Sequence, residues 1–473
     1  MNKRSGKYII PRVIFLGLAV TGIAFFLTLS MFHRDGEKTD TLRRIRERGY
    51  LIALTDQNTL NYFIYRGQPM GYQLELLESF AKHLGVPLRI IASNNISKLE
   101  YYLKYKAADL IALNLPITSG GKKLVQFSAP FGETRLVLVQ RKSQKSGNPE
   151  INLIKSLADF PEDTVYVRKN QFLAAQFHTF YKKTRKNAIL KEVTDISQEE
   201  LIRKVSEGKI RFAICKENVA MVYHRFYRNI DISVLAFPLH SYGWGMGPDS
   251  DSLRMEADAW LHELKTSREL KKIYLDYFSN QRIVRLLQSD YFSVCCDKLS
   301  PFDEAIKEQS RLVNWDWRLV ASLVYEESNF RPGQVSSRSA SGLMQLMPET
   351  AAKFGIDSTA TPARQIAGGV KYLRYLDKQL PDEITSPIER IYFVLASYNV
   401  GIGRVLAARE KAEKFGKDKN RWNGHVDYYL LRRSKTDTVA KYDSIDSYPV
   451  DYKTEGFVDD IVGRYFHYRN LIK

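Results

Sequence analysis

Two adjacent glutamates end a segment in which apolar residues recur at helical spacing. The segment, DWRLVASLVYEE at residues 316–327, carries four apolar residues on one face of the predicted helix: Leu319, Val320, Leu323 and Val324. At about 100° per residue, Glu327 lies within about 10° of the centre of this face and Glu326 lies roughly 90° away. A carboxyl on an apolar face loses solvation in its charged form, so its pKa rises and it can act as a general acid. The alternative is a solvated glutamate pair at the end of an ordinary helix.

Two further segments place polar residues beside glycines. Residues 331–356 form a loop rich in Gly and Ser, followed by a short apolar run and a helix start, and such a loop can close over a ligand. In FVLASYNVGIGRV, Tyr398 and Asn399 follow an apolar helix and precede Gly401, where small residues let backbone approach a ligand closely. Asn399 or Gly401 can also form a left-handed helix cap, which is compatible with substrate contact.

Together these segments resemble the goose-type lysozyme-like domain of lytic transglycosylases. The resemblance covers about residues 302–466 and implies a mainly α-helical lysozyme-like domain. Three motifs carry it: Glu-Ser at Glu327 and Ser328, G-L-M-Q at residues 342–345, and A-x-Y-N-x-G at residues 396–401. Residues 366–379 also resemble a core helix of the family, with Gln365 or Ile366 in place of its leading Asn. Phe457 stands where many members carry a Tyr.

By this resemblance Glu327 is the catalytic acid of a lyase that cleaves the β-1,4 bond between MurNAc and GlcNAc in peptidoglycan. A hydrolase would normally add a second carboxylate, and the matched motifs contain none. The other carboxylates considered, Asp357, Asp377 and Glu389, lie in segments that are predicted to be loops or solvated helix faces. The resemblance implies that the sugar's N-acetyl group assists, that Glu327 then acts as a base, and that the C6 hydroxyl attacks C1 to leave a 1,6-anhydroMurNAc end. The residues implied to contact the glycan are Ser328, Gln345, Tyr398 and Asn399, which would orient it through hydrogen bonds, and Met344, which would line the groove floor.

Two other functions stay open on the sequence. A muramidase would hydrolyse the same bond with water, and a periplasmic sensor of cell-wall fragments would use the lysozyme-like domain only for docking. No cofactor or metal is expected, because there is no cluster of Cys or His at metal-ligand spacing. The cysteines, Cys215 in a predicted strand and the adjacent Cys295 and Cys296, are odd in number and imply no disulfide framework.

The region from Leu51 to about Asn280 alternates strand and helix patterns, which predicts an α/β fold with a mainly parallel sheet. Its length is sufficient for two lobes. The segments GYQLELLESFAKHLG and ITSGGKKLVQFSAPF resemble the periplasmic solute-binding proteins of polar amino acid transporters, whose two lobes close around a ligand. A final helical pattern over residues 252–278 completes the resemblance.

One position argues against binding of a free amino acid by this region. In the family an Arg clamps the ligand's carboxylate in bidentate fashion, and here that position is Gly121. Lys122 and Lys123 adjoin it, but a lysine does not reproduce the fork of an arginine. We therefore expect a larger cell-wall fragment, such as a muropeptide effector, and the alternative is a retained scaffold without a ligand.

The N-terminus has the pattern of an export signal. Four basic residues precede the apolar residues 13–32, a stretch that is long for a signal-peptide core and sufficient to span a bilayer. An uncleaved anchor would leave both folded domains on the periplasmic side, whereas the family resemblance suggests attachment at the outer membrane after cleavage. The predicted organisation is a signal peptide or anchor at 1–32, a solute-binding-like regulatory domain at 33–280, a linker at 281–300 and the lytic transglycosylase domain at 301–473.

The chain is strongly basic, with a formal net charge of +18. Basic chains bind polyanions such as nucleic acid, but export argues against that partner. Anionic peptidoglycan and acidic membrane headgroups fit the charge, although dispersed surface charge needs no partner. The linker carries no Pro or Gly, so we expect a helical, semi-rigid joint. Residues 411–452 read as a long insertion or lid.

Overall fold

The computed structural model describes residues 40–94, 99–142, 153–169, 174–185, 187–194, 196–279, 281–287, 289–431 and 452–472. The apolar residues 13–32 therefore lie outside the described residues, as do residues 432–451 of the insertion predicted over residues 411–452. In the described part of the chain, no helix combines the length and hydropathy needed to cross a membrane.

The first half of the chain folds around one curved sheet. Its described strands are β1 (Leu51–Thr55), β4 (Leu88–Ala92), β5 (Leu110–Pro116), β6 (Gln126–Phe127), β7 (Gly132–Arg141), β8 (Asp163–Arg168), β9 (Ala188–Val193), β10 (Phe212–Lys216) and β11 (Ile230–Met246). A separate hairpin consists of β2 (Phe63–Tyr65) and β3 (Gln68–Met70). The spatial order of the large sheet is β4-β1-β5-β11-β7-β10-β8-β9, and β6 pairs with β11.

The prediction of a mainly parallel sheet was wrong in its centre. Parallel pairs occur at the two ends, β4-β1-β5 and β10-β8-β9. In the middle, β11 runs antiparallel to β5 and β7, and β7 runs antiparallel to β10. The long strands β7 and β11 therefore connect two lobes, and a sequence pattern that reports burial does not reveal strand direction.

Helices cover the sheet and form the connections between its strands. They are α1 (Thr41–Arg48), α2 (Tyr72–Leu84), α3 (Leu99–Lys104), α4 (Ala174–Lys183), α5 (Gln198–Ser206), α6 (Glu217–Phe226), α7 (Asp251–Thr266) and α8 (Glu269–Phe278). The helical pattern over residues 252–278 is thus two helices, because Arg268 adopts a left-handed φ of 64° between them. Two short helices, α9 (Gln281–Leu286) and α10 (Ser293–Cys296), lie in the joint that follows.

The second half is helical in its described residues. Its helices are α11 (Asp303–Ser310), α12 (Trp317–Ser328), α13 (Pro348–Lys353), α14 (Pro362–Gln379), α15 (Pro387–Val400), α16 (Ile402–Lys414), α17 (Asp427–Leu431) and α18 (Tyr452–Leu471). At the centre of this domain, α12 buries residues 319–324 and packs against α11 and α18. Asp316 caps its first turn by accepting a hydrogen bond from the Arg318 amide, and Asn329, at φ 50°, ends it.

The C-terminal helix α18 joins the two halves. The Tyr468 hydroxyl donates a hydrogen bond of 2.6 Å to the carbonyl of Gly67 at the tip of the β2–β3 hairpin. The Asn470 amide donates to the Ile90 carbonyl at 2.7 Å, and Tyr62 shares a 2.7 Å hydrogen bond with His467 Nδ1. Because α18 also packs on α12, the hairpin is connected to the helix that carries the glutamate pair.

Candidate active site

The two glutamates at the end of α12 have different surroundings. Burial, and secondarily the charge of Glu326, raise the pKa of Glu327 to about 8. Among the described residues, its carboxyl has no hydrogen-bond or ion-pair partner. Glu326 instead forms an ion pair with Arg464, in which Glu326 Oε2 lies 2.8 Å from Arg464 Nη2. The helical geometry predicted from the sequence is therefore confirmed: the residue on the apolar face is the desolvated one.

Arg464 is a site residue that sequence reasoning missed. It lies on α18, pairs with Glu326, and stacks its guanidinium 4.5 Å from the centre of the Tyr325 ring. These contacts give the Glu326 carboxylate a cationic partner, which Glu327 lacks among the described residues. No local pattern could have identified this partner, because the pairing depends on how α18 packs against α12.

The G-L-M-Q loop is held directly against the end of α12. The Ser328 hydroxyl lies 2.8 Å from the Leu343 carbonyl and 3.0 Å from the Val324 carbonyl in its own helix. Ser328 is buried, with 3% of its surface exposed. Its hydroxyl hydrogen is therefore directed to backbone oxygens, and the side chain fixes the loop relative to Glu327.

Gln365 on α14 holds the same loop from the other side. Its Oε1 accepts a 2.8 Å hydrogen bond from the Leu343 amide, and its Nε2 donates to the Ala360 carbonyl. At Gly342, where φ is 80°, a Cβ would lie 2.7 Å from Gln365 Oε1, so glycine lets the two segments approach. The sequence pointed to Gln365 only as a substitute for the family's Asn.

Gln345 and Met344 stabilise the loop from within. The Gln345 side-chain amide donates to the carbonyls of Gln334 and Gly342, each at 2.9 Å, and its backbone has a left-handed φ of 46°. Met344 is 1% exposed, and a Cβ at Gly369 would lie 2.1 Å from its sulfur. The thioether therefore packs against Gly369 of α14 and holds the loop on that helix.

Tyr398 and Asn399 lie at the end of α15 with opposite exposure. The Tyr398 hydroxyl donates a 2.5 Å hydrogen bond to the Met344 carbonyl. Its pKa is raised well above the usual range by burial and then by the charge of Glu327, so the phenol and the carboxyl interact. Asn399 is exposed in the last turn of α15, and Gly401, at φ 89°, separates α15 from α16. Of the two cap candidates, Gly401 takes the positive φ, which leaves the Asn399 side chain available to a ligand.

The three other carboxylates considered above are engaged elsewhere. Asp357 pairs with Arg364 at 3.2 Å and Asp377 with Arg390 at 2.9 Å. Glu389 accepts a 2.7 Å hydrogen bond from the Trp422 amide. All three stabilise local structure, and Phe457 is buried in the core of the helical domain.

Neither a metal site nor a disulfide emerges from the described side chains. They include no group of three or more His, Cys, Asp or Glu that could hold a metal ion. Cys215 is buried in β10 and free. Burial raises the pKa of its thiol, which disfavours the reactive thiolate.

Comparison with known proteins gives the two halves separate relatives. Residues 51–280 match the bacterial extracellular solute-binding proteins, family 3, and residues 304–421 match the transglycosylase SLT domain. Among solved structures, the amino acid transporter substrate-binding protein AbpA from Streptococcus pneumoniae aligns with a TM-score of 0.44 and 23% identity, covering 51% of this chain and 98% of that protein.

Some curated relatives match both halves at once. The membrane-bound lytic murein transglycosylase F of Desulfosudis oleivorans is 28% identical over 432 residues, covering 89% of this chain and 91% of the relative. Its namesake in Pseudomonas fluorescens is 28% identical over 409 residues, covering 86% of this chain and 81% of the relative.

Fold, site and comparisons together define a peptidoglycan lytic transglycosylase with an N-terminal solute-binding domain. The desolvated glutamate, the loop fixed beside it and the SLT match belong to one helical domain. Over most of its length the chain is similar to the relatives named membrane-bound lytic murein transglycosylase F.

Proposed function

We propose that Glu327 is the catalytic acid and base with which this lytic transglycosylase cleaves the MurNAc–GlcNAc bond. The observation that carries the assignment is its desolvated carboxyl, whose pKa of about 8 keeps it protonated at neutral pH. A protonated acid can donate its proton to the glycosidic oxygen as the C1–O bond breaks. The carboxylate that results is then the base for the second step.

In the second step the C6 hydroxyl of the same MurNAc attacks C1 and gives its proton to Glu327. No water is consumed, so the product is a 1,6-anhydroMurNAc end and the acid is regenerated. The N-acetyl group supports the developing positive charge at C1, in place of the second carboxylate that a hydrolase would use. The engagement of Asp357, Asp377 and Glu389 in structural contacts supports this route.

The remaining residues divide into two roles in this proposal. Ser328, Gln345 and Tyr398 position the loop and its backbone groups beside Glu327, since their polar atoms bind loop or helix carbonyls. Asn399 contacts the glycan directly, because it is exposed at the end of α15. Met344 supports the floor of the groove through its packing on Gly369.

The test compares the full chain with Glu327→Gln on purified peptidoglycan, with the released muropeptides weighed by mass spectrometry. Products that are one water lighter than reducing muropeptides, and that are absent with Glu327→Gln, are expected. Reducing ends would instead establish a muramidase. An absence of products from both proteins would favour a sensor that only docks to the wall.

We further propose that the solute-binding domain responds to a muropeptide effector. Across its cleft, Arg168 pairs with Asp56 at 3.1 Å, and Lys216 donates to the Asn114 carbonyl at 3.1 Å. The cavity that these groups enclose measures about 60 Å³, which is too small for a muropeptide. Such a ligand would have to open the cleft, and the absence of a carboxylate clamp at Gly121 is in keeping with a ligand other than a free amino acid.

The effect would reach the active site through the β2–β3 hairpin, which contacts α18. Added muropeptides should then change both the rate of peptidoglycan cleavage and the melting temperature, with free amino acids as control ligands. If muropeptides change neither quantity, the domain is a scaffold and the effector hypothesis fails.

The chain is proposed to be attached to a membrane on its periplasmic side. The relatives named membrane-bound and the basic flank of residues 13–32 support this location. Size comparison of the mature protein with the full translation product distinguishes an uncleaved anchor from a cleaved signal.

A further inference from the structure

An exposed group of tyrosines and lysines lies on the first lobe, far in sequence from the glutamate pair. We define it as the tyrosine–lysine patch, which comprises Tyr101, Lys104, Tyr105, Lys106, Lys123 and Leu124. The two tyrosines are 56% and 62% exposed and Leu124 is 37% exposed, which are large values for side chains of this size. The tyrosine rings lie 4.6 Å apart, and Lys104 lies over the Tyr105 ring at 5.7 Å.

The lysines of the patch surround a hollow of about 300 Å³ in which positive charge dominates. The hollow contains one buried acid, Asp109, which is already paired with Arg44 and Arg48 of α1. No described carboxylate pairs with Lys104, Lys106 or Lys123. Asp249 also borders the hollow, and no described arginine pairs with it. The three lysines therefore share the hollow with one acid, Asp249, that is not already paired with an arginine.

The start of the described chain lies at the edge of this hollow. Thr41, the first residue of α1, lines it together with the three lysines, and its hydroxyl donates a 2.9 Å hydrogen bond to the Asp249 carbonyl. The apolar residues 13–32 end nine positions before Thr41. Even a fully extended segment of that length spans only about 30 Å. If residues 13–32 are in a bilayer, the patch is held close to its surface.

We propose that the tyrosine–lysine patch docks on the membrane surface by binding anionic phospholipid headgroups. The proposal rests on the membrane attachment proposed above. Lysines close to an anionic bilayer are attracted to it, and tyrosines are enriched at the membrane–water interface, where one end of the ring is apolar and the other is wet. Docking at this face would fix the orientation of the solute-binding lobes relative to the membrane. Peptidoglycan is the other anionic partner, and the proximity of Thr41 favours lipid over glycan.

The test is a lysine-acetylation footprint on the full chain in vesicles of phosphatidylcholine, with or without phosphatidylglycerol. Acetylation of Lys104, Lys106 and Lys123 should be about fivefold slower when phosphatidylglycerol is present, as attraction of one charge to an anionic surface implies. High salt should remove this protection by screening. Lys182 and Lys183, exposed on α4 in the other lobe, should react equally in all vesicles.

Variants separate docking from simple proximity to the bilayer. Lys104→Gln/Lys123→Gln should remove the protection of Lys106, whereas the matched control Lys182→Gln/Lys183→Gln should leave it intact. Equal acetylation in the two vesicle types would overturn the proposal, because tethering alone does not depend on lipid charge. Protection by soluble peptidoglycan fragments in phosphatidylcholine vesicles would overturn it in favour of the cell wall as the partner.

Discussion

Replacing Glu327 with glutamine should abolish catalysis. The variant should also become more stable than the wild-type protein, by a margin that grows as the pH rises. The carboxyl has a pKa of 4.5 in an unstructured chain and about 8 in the folded protein. Below pH 4.5 it is neutral in both states and contributes no pH-dependent difference. Between these two values the unfolded chain ionises while the folded chain keeps its proton, so the unfolded state is increasingly favoured. Above pH 8 the folded group ionises as well and the difference becomes constant.

The size of this effect follows from the two pKa values. The destabilisation caused by Glu327 is about 3 kcal/mol at pH 7 and about 5 kcal/mol above pH 8. Glutamine stays neutral at every pH and has nearly the same shape, so the variant escapes this cost. The buried amide hydrogens of the glutamine need hydrogen-bond partners, and a lack of partners would lower the free energy of unfolding of the variant by an amount that does not depend on pH. The increase of the stability difference with pH is therefore the quantity to measure.

Urea unfolding of the helical domain in the full chain, followed by fluorescence from acid to mildly alkaline pH, provides the measurement. The difference between Glu327→Gln and wild type should grow by about 3 kcal/mol from pH 4.5 to pH 7. Glu349→Gln, at an exposed position on α13, is the matched control and should show no such increase. A difference that stays flat with pH would refute the assignment of a desolvated acid at Glu327. The same ionisation should reduce activity above pH 8.

Three substitutions test the contacts that surround the acid. Ser328→Ala removes the hydroxyl that binds the Leu343 carbonyl. The free energy of unfolding should fall by about 1–3 kcal/mol, and kcat should also fall. An unaltered kcat would show that the loop does not need this hydrogen bond. Gly369→Ala drives a Cβ against the Met344 sulfur and should destabilise the helical domain by about 1–3 kcal/mol, a prediction that fails if the urea midpoint is unchanged. Gly67→Ala places a Cβ 2.6 Å from the rings of Tyr325 and Phe330 at a φ of 81°, and it should weaken the contact between the solute-binding and helical domains. Calorimetry of the full chain measures whether the two domains unfold together. Unchanged coupling of their unfolding transitions would contradict this prediction.

Local sequence patterns were sufficient to predict the helix that carries the proposed catalytic acid. The helix over residues 317–328 and the inward direction of Glu327 followed from helical periodicity, which depends only on neighbouring residues. The alternating elements of the first half likewise predicted an α/β fold. Strand direction did not follow, because the antiparallel course of β7 and β11 is decided by which strands meet in space.

What the sequence determined by itself is which of the two glutamates lies on the apolar face of its helix, the motifs around it and the order of the solute-binding and SLT regions. What only the tertiary structure decided is how that acid is isolated: Arg464 binds Glu326, Ser328 and Gln365 fix the loop, and the Gly67 hairpin packs beside α12. The physical reason is that periodicity reports which face of a helix is apolar. It carries no information about which distant side chain will pair with the polar group beside that face, because that choice is made when the domains pack.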